Sequence, residues 1–194
     1  GIKVGQIRRS PVFRIEASEG SGMPKTVTRS DAFVRAAMQE HGASVLRLAL
    51  SQTSSMADAE DVYQDVFVSL ACSKASFENA DHLRAWLLRV TLNRCRDLAR
   101  SWWRRKARSL DALEFDPPDD SGSTGAPADY AELWHAIHRL PKRDQVLIHL
   151  RYVEEMSCER ISAVTGIKAS TVRTRLSRAH QKLQTMLGED DETI

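Results

Sequence analysis

The sequence predicts an all-α protein built as two small helical domains joined by an acidic, flexible linker. Three observations carry that expectation. Apolar residues recur every three to four positions through each long segment after residue 31, the period of a helix with one packed face. Residues 111–128 (DALEFDPPDDSGSTGAPA) contain three prolines, two glycines and five acids, a composition that makes linkers rather than cores. The only strand signal is Val12-Phe13-Arg14-Ile15, in a stretch unlike the rest of the chain. The expected organisation is a leader over 1–22, a first domain over 23–110, the linker over 111–128, a second domain over 129–188 and an acidic tail over 189–194.

Taken in order, residues 1–22 end in Gly20-Ser21-Gly22 ahead of Met23 and read as an appended leader. A grafted peptide with a short strand at Val12–Ile15 is the alternative. A first helix is expected over Asp31–Leu50, through Phe33, Val34, Ala37, Met38, Val45, Leu46, Leu48 and Ala49, with a break at Gly42. Ser51–Met56 reads as a polar turn. A second helix over Asp58–Ala71 places Val62, Val66 and Leu70 four residues apart, with acids at its positive N-terminal end. Ser73–Asp81 reads as a loop.

The run Leu83–Arg108 follows, with nine basic residues against one acid, Asp97. Leu83, Trp86, Leu87, Val90 and Leu98 form its apolar stripe, and Trp86, Trp102 and Trp103 are interleaved with the arginines. Arginine grips phosphate through two oxygens at once, and an indole face stacks an unpaired base at about 1–3 kcal/mol. The run therefore suits either a melted nucleic-acid strand or a solvated scaffold face. Trp86, lying among inward positions, is expected to be structural.

Beyond the linker, Tyr130, Leu133, Trp134, Ile137 and Leu140 form one apolar face, and Pro141 opens a helix with Val146, Leu147 and Leu150 inward. Ser157 is placed to cap a short helix ending at Thr165. Gly166 takes a turn, and a last helix runs from Ala169 to Leu187 with Gly188 as its C-cap. This is a helix-turn-helix pattern: Ile161, Val164, Ile167, Val172 and Leu176 pack, and Ser170, Thr171, Arg173, Thr174, Arg175 and Arg178 face outward. Arg173 is best placed for a two-pronged bond to guanine, a contact worth about 1–3 kcal/mol of discrimination.

Net charge is only +2, but its distribution is blocked. Four acids fall in 58–65 and seven in 111–132, while 168–182 holds five basic residues and no acid. Two separated basic blocks with acids elsewhere fit two contacts to a polyanion and one to a basic partner. The 18-residue linker spans at most about 60 Å, so two heads could reach sites one to two duplex turns apart. Cys72, Cys95 and Cys158 are scattered without metal-ligand spacing. No metal, cofactor, membrane insertion or catalytic residue is expected, and the odd, isolated cysteines fit a reducing, cytoplasmic compartment.

Four stretches together resemble the extracytoplasmic-function group of the sigma-70 family, the promoter-specificity subunits of bacterial RNA polymerase. Asp58-Ala59-Glu60-Asp61-Val62-Tyr63-Gln64-Asp65-Val66-Phe67 is similar to region 2.2, and Ala85-Trp86-Leu87-Leu88-Arg89-Val90 with Asn93 and Asp97 to regions 2.3 and 2.4. Leu140-Pro141 with Arg143, Val146 and Leu150 is similar to region 4.1, and Thr171-Val172-Arg173-Thr174-Arg175-Leu176-Ser177-Arg178-Ala179 to region 4.2. The resemblance implies that Glu60, Asp61, Gln64 and Asp65 dock on the clamp helices of the core polymerase's largest subunit, with the flap as a second contact. It implies that Phe77, Asn79, His82, Arg89, Asn93, Arg96 and Arg100 serve the −10 element. Ser170, Thr171, Arg173, Thr174, Arg175 and Arg178 would then serve the −35 element. An anti-sigma factor masking these surfaces is also implied. Arg160-Ile161-Ser162 stands where the family usually has Glu-Ile-Ala, and Lys168 where a small cap is common.

Two other classes compete. A stand-alone helix-turn-helix regulator would bind duplex DNA tightly without polymerase. A nucleic-acid-processing enzyme would need carboxylates converging on the basic surface, whereas Asp58, Glu60, Asp61 and Asp65 lie on a separate helix.

Overall fold

A helix needs partners for its end groups and a face to bury. The computed structural model describes residues 28–53, 55–108 and 131–189. The expected leader, strand and linker, residues 190–194 of the expected tail, Tyr130 and the Trp103 side chain lie outside the described residues. The helices are α1 (Asp31–Gln52), α2 (Met56–Ala71), α3 (Ala80–Arg108), α4 (Ala131–Arg139), α5 (Lys142–Ile148), α6 (Cys158–Thr165) and α7 (Ala169–Glu189). A π-helical turn, His149–Val153, follows α5. No strand occurs among the described residues, so the fold is all-α.

Capping explains where the helices start. Ser30, Ser55 and Ser157 are extended at their N-caps, and their hydroxyls accept from the amides of Phe33, Asp58 and Arg160, removing orphan donors. At the other end of α2, the Ala71 carbonyl accepts from the amides of Thr28 and Arg29 at 2.8 and 3.1 Å. Gly166 ends α6 at φ 75, the left-handed region that glycine adopts without a Cβ clash.

Gly42 does not break α1. The helix runs through it, and the missing side chain leaves room for the Tyr63 hydroxyl of α2, which a Cβ would meet at 2.9 Å. Likewise α7 continues through Gly188 to Glu189. On α4 Ala136 is buried, as is Leu140 just beyond its end, and Trp134 is 39% exposed rather than inward. The stripe is centred between Ala136 and Ile137, so position 134 falls on its flank.

The N-terminal head is the three-helix bundle α1–α2–α3, packed around Val45, Ala49, Val62, Val66, Phe67, Leu70, Leu83, Leu87 and Val90. The C-terminal head is α4–α7 around Leu147, Leu150, Met156, Ile161, Val164, Val172 and Leu176. The heads share a core. Leu48 of α1 and Leu88 and Leu92 of α3 are at most 2% exposed and pack with the C-terminal residues. Helix α3 therefore has two apolar faces, one toward its own bundle and one toward α6. Full burial of one leucine side chain is worth about 1.5–3 kcal/mol, so the second face is a substantial contact. Among the described residues, no helix is long and apolar enough to cross a membrane.

Candidate nucleic-acid and polymerase interfaces

Helix α2 shows its charge on one side. Glu60, Asp61, Gln64 and Asp65 are all exposed, and their spacing of one, four and five residues places them on adjoining rows of the helix. Val68, half exposed one turn beyond Gln64, extends that surface with an apolar spot that the four-residue periodicity had passed over. The Asp65 carboxylate lies 3.9 Å from Arg94 Nε of α3.

Near the start of α3, Phe77 is half-buried rather than free. Its ring is stacked with Phe33 at 6.5 Å and meets Trp86 edge-on at 5.7 Å and His82 at 6.0 Å. The Arg29 guanidinium lies 4.7 Å from both the Phe33 and Phe77 ring centres, a cation–π arrangement. Arg29 also donates to the Ala75 carbonyl, tying the loop to the bundle. Asn79 is exposed, and its side-chain oxygen accepts from the His82 amide at 2.8 Å, so it starts the helix. Trp86 packs against the N-terminal core, as its inward position predicts.

Further along α3 the polar residues diverge. Arg89 donates to the Ala163 carbonyl of α6, and burial lowers its pKa. Asn93 is half-buried and accepts from Arg96 at 3.2 Å. Arg96 and Arg100 are exposed, the latter paired with Asp97. Arg94 donates to the Ser69 hydroxyl at 3.2 Å.

In the second head, α6 and α7 form the helix-turn-helix. Ser170, Thr171, Arg173, Thr174 and Arg178 are exposed along α7. Arg175 is not. It is half-buried, and its Nε and Nη2 lie 2.8 and 2.7 Å from Asp144 Oδ1 of α5. Position 175 sits next to Leu176, on the seam where α5 packs, so its guanidinium turns inward to a carboxylate. Arg173 Nη2 donates to Glu159 Oε1 at 2.6 Å. The Glu159 backbone amide, then Arg173 and Ser157, hold the Glu159 carboxyl below its usual range.

The strongest polar cluster is one that sequence reasoning missed. The Glu154 carboxylate, fully buried, receives Arg84 at 2.6 Å on Oε2 and Arg47 at 3.0 Å on Oε1. His149 Nε2 lies 3.6 Å from Oε1. Burial pushes the Glu154 carboxyl up, but His149, Ser44, Arg84 and Arg47 outweigh it and hold the group well below the usual carboxylate range. Glu154 follows the π-helical turn, and Glu155 after it takes φ 53. No periodicity marks Glu154, and Arg84 reads simply as one more charge in the basic run.

These features define a class: a two-headed helical protein with a helix-turn-helix on one head, a long basic helix on the other and an exposed acidic face beside it. Family models for sigma-70 region 2 and sigma-70 region 4 match residues 37–108 and 130–183. The RNA polymerase sigma factor CnrH of Cupriavidus metallidurans is 30% identical over 162 residues, covering 78% of this chain and 85% of that protein. SigV of Bacillus subtilis, also an RNA polymerase sigma factor, is 27% identical over 154 residues, covering 78% and 89%. Among solved structures, CnrH in complex with the cytosolic domain of CnrY has a TM-score of 0.60 at 27% identity, covering 83% of this chain and 91% of that one. The Bartonella quintana sigma factor RpoE, crystallised with the anti-sigma factor NepR, has a TM-score of 0.64 at 24% identity, covering 82% and 98%. The chain belongs to the sigma-70 family of RNA polymerase sigma factors, in its extracytoplasmic-function group.

Proposed function

We propose that this sigma factor docks on core polymerase through α2 and directs it to promoters with a −10 and a −35 element. Glu60, Asp61, Gln64 and Asp65 meet the basic clamp helices of the largest subunit, and the C-terminal head meets the flap. Asn79, His82, Asn93, Arg96 and Arg100 engage the opened −10 strand and its phosphates, with Phe77 supporting the loop from within. Arg89 joins them when it is released from Ala163. Ser170, Thr171, Arg173, Thr174 and Arg178 read the −35 duplex. The protein catalyses no reaction itself and acts beside polymerase in the cytoplasm. CnrH, 27% identical among the solved structures, was captured with the cytosolic domain of CnrY, which supports control by a partner chain of the anti-sigma kind.

One observation supports this reading: exposed polar and basic side chains on α7 and an exposed acidic face on α2 occur in one chain. A stand-alone regulator needs the first and has no use for the second. The test is transcription in vitro. Core polymerase plus this chain is expected to start transcripts at defined sites in a genomic promoter library that core alone ignores. No defined starts, or tight sequence-specific binding of duplex DNA by the chain alone, would reject the proposal.

A further inference from the structure

The loop between α2 and α3 is neither helix nor strand over residues 73–77, so contacts from elsewhere do much to set its course. The segment just before α1 supplies them. The backbone amides of Thr28 and Arg29 both donate to the Ala71 carbonyl and pin the start of the loop. The Arg29 side chain then reaches on, and its Nη2 donates to the Ala75 carbonyl in mid-loop. At the far end Asn79 starts α3 by accepting from the His82 amide.

Aromatic packing works on the same point. The rings of Phe33 on α1 and Phe77 on the loop are parallel to within 5°, with centres 6.5 Å apart. The Arg29 guanidinium carbon lies 4.7 Å from both centres, so one flat cation bridges two ring faces. Trp86 and His82 meet Phe77 edge-on at 5.7 and 6.0 Å. The Arg29 Nε is buried with no hydrogen-bond partner among the described residues. An unpaired buried N–H is unfavourable, so the two rings and the Ala75 carbonyl must outweigh it to hold the guanidinium there. Lysine could not take its place, because a compact ammonium has no flat face to set against two rings.

We infer that Arg29 is a positioning residue for −10 recognition: by bridging Phe33, Phe77 and the Ala75 carbonyl it sets where the loop presents Asn79 and His82 to the opened strand. The roles of Asn79 and His82 rest on the function proposed above; the hold of Arg29 on the loop rests on the contacts themselves.

The test compares the full chain with its Arg29→Ala variant in two ways. Hydrogen–deuterium exchange follows the amides of residues 73–79. Transcription with core polymerase is scored on single-base changes across the −10 and −35 elements of one promoter that the wild type uses. Exchange over 73–79 is expected to rise while that of α6 and α7 is unchanged. Preference at one −10 position should fall roughly tenfold, the size of one mismatched base pair, with the −35 preferences kept. A residue that only stabilised the fold would instead lower output from every promoter by a common factor, and that pattern would overturn the positioning role. Arg29→Lys keeps the charge without the flat fork and should resemble Arg29→Ala; a lysine variant equal to wild type would overturn the bridge. Phe33→Leu removes one ring and should shift both readouts the same way by less, and it carries the test if Arg29→Ala loses its helical circular dichroism. Unchanged exchange over 73–79 would overturn the hold on the loop, and raised exchange with intact −10 preferences would overturn its role in recognition. If the wild type itself starts no defined transcripts, the sigma reading falls and takes the −10 role with it, while raised exchange still upholds the grip of Arg29 on the loop.

Discussion

Two arginines two positions apart on α7 show how much one helical step decides. Arg173 is exposed and held by Glu159 at 2.6 Å, a pairing that orients its fork yet leaves it in solvent. Arg175 is half-buried and paired with Asp144 across the α5–α7 seam. Arg173→Ala should therefore cost about 1–3 kcal/mol of discrimination at one −35 position, with little change in melting temperature. Arg175→Ala should do the reverse, lowering the melting temperature while the order of preferred −35 sequences is kept. Melting curves and a promoter-variant transcription panel separate the two. Loss of sequence preference in Arg175→Ala would return that residue to the reading face. Both residues looked alike in the sequence, because outward direction was inferred from charge. The deciding partner, Asp144, lies 31 residues away.

At the scale of elements, helix starts and stops were legible because they are local. Ser157, Pro141 and Gly166 act within a few residues of themselves, and each appears where its chemistry predicts. The acidic face of α2 was legible for the same reason, since one helix carries all four residues. That face gives an element-level prediction. Asp61→Arg with Asp65→Arg replaces two exposed carboxylates with cations, leaving the buried Val62 and Val66 in place. Helicity should be unchanged, since exposed substitutions usually shift stability by no more than about 0.5 kcal/mol. Co-purification with core polymerase should be lost, and unchanged co-purification would remove the docking assignment. Helix α3 was only half legible. The stripe through Leu83, Leu87 and Val90 has the expected period, but Leu88 and Leu92 form a second stripe whose partner is α6, more than sixty residues on. A helix apolar on two sides announces that it is sandwiched, not by what.

For the whole molecule, the charge blocks suggested two contacts to a polyanion and one to a basic partner, but not that the heads would close on each other. The contact between the heads joins Glu154 to Arg47 and Arg84, which lie 107 and 70 residues away, and pairings that distant leave no periodic trace. The partners of Glu154 make this contact sensitive to acid, with a definite sign. In the closed chain the Glu154 carboxyl is held below its ordinary value, while in the unfolded chain it titrates near that value, about 4.3. The unfolded state therefore binds the proton more readily. The Glu154 contribution is fully present above the unfolded pKa and is lost as pH falls below it toward the depressed folded value. Glu154→Gln cannot titrate and leaves Arg47 and Arg84 without their counter-charge, a loss below the about 3–5 kcal/mol of a fully buried pair, because the two arginine side chains keep 48% and 26% of their exposure. Denaturant unfolding of wild type and Glu154→Gln should accordingly differ most at pH 7 and converge as the pH is lowered through about 4 toward 3. Other carboxylates, Glu159 among them, titrate in both proteins and cancel in the difference. A gap that stays constant with pH would mean that Glu154 contributes shape to the seam rather than charge.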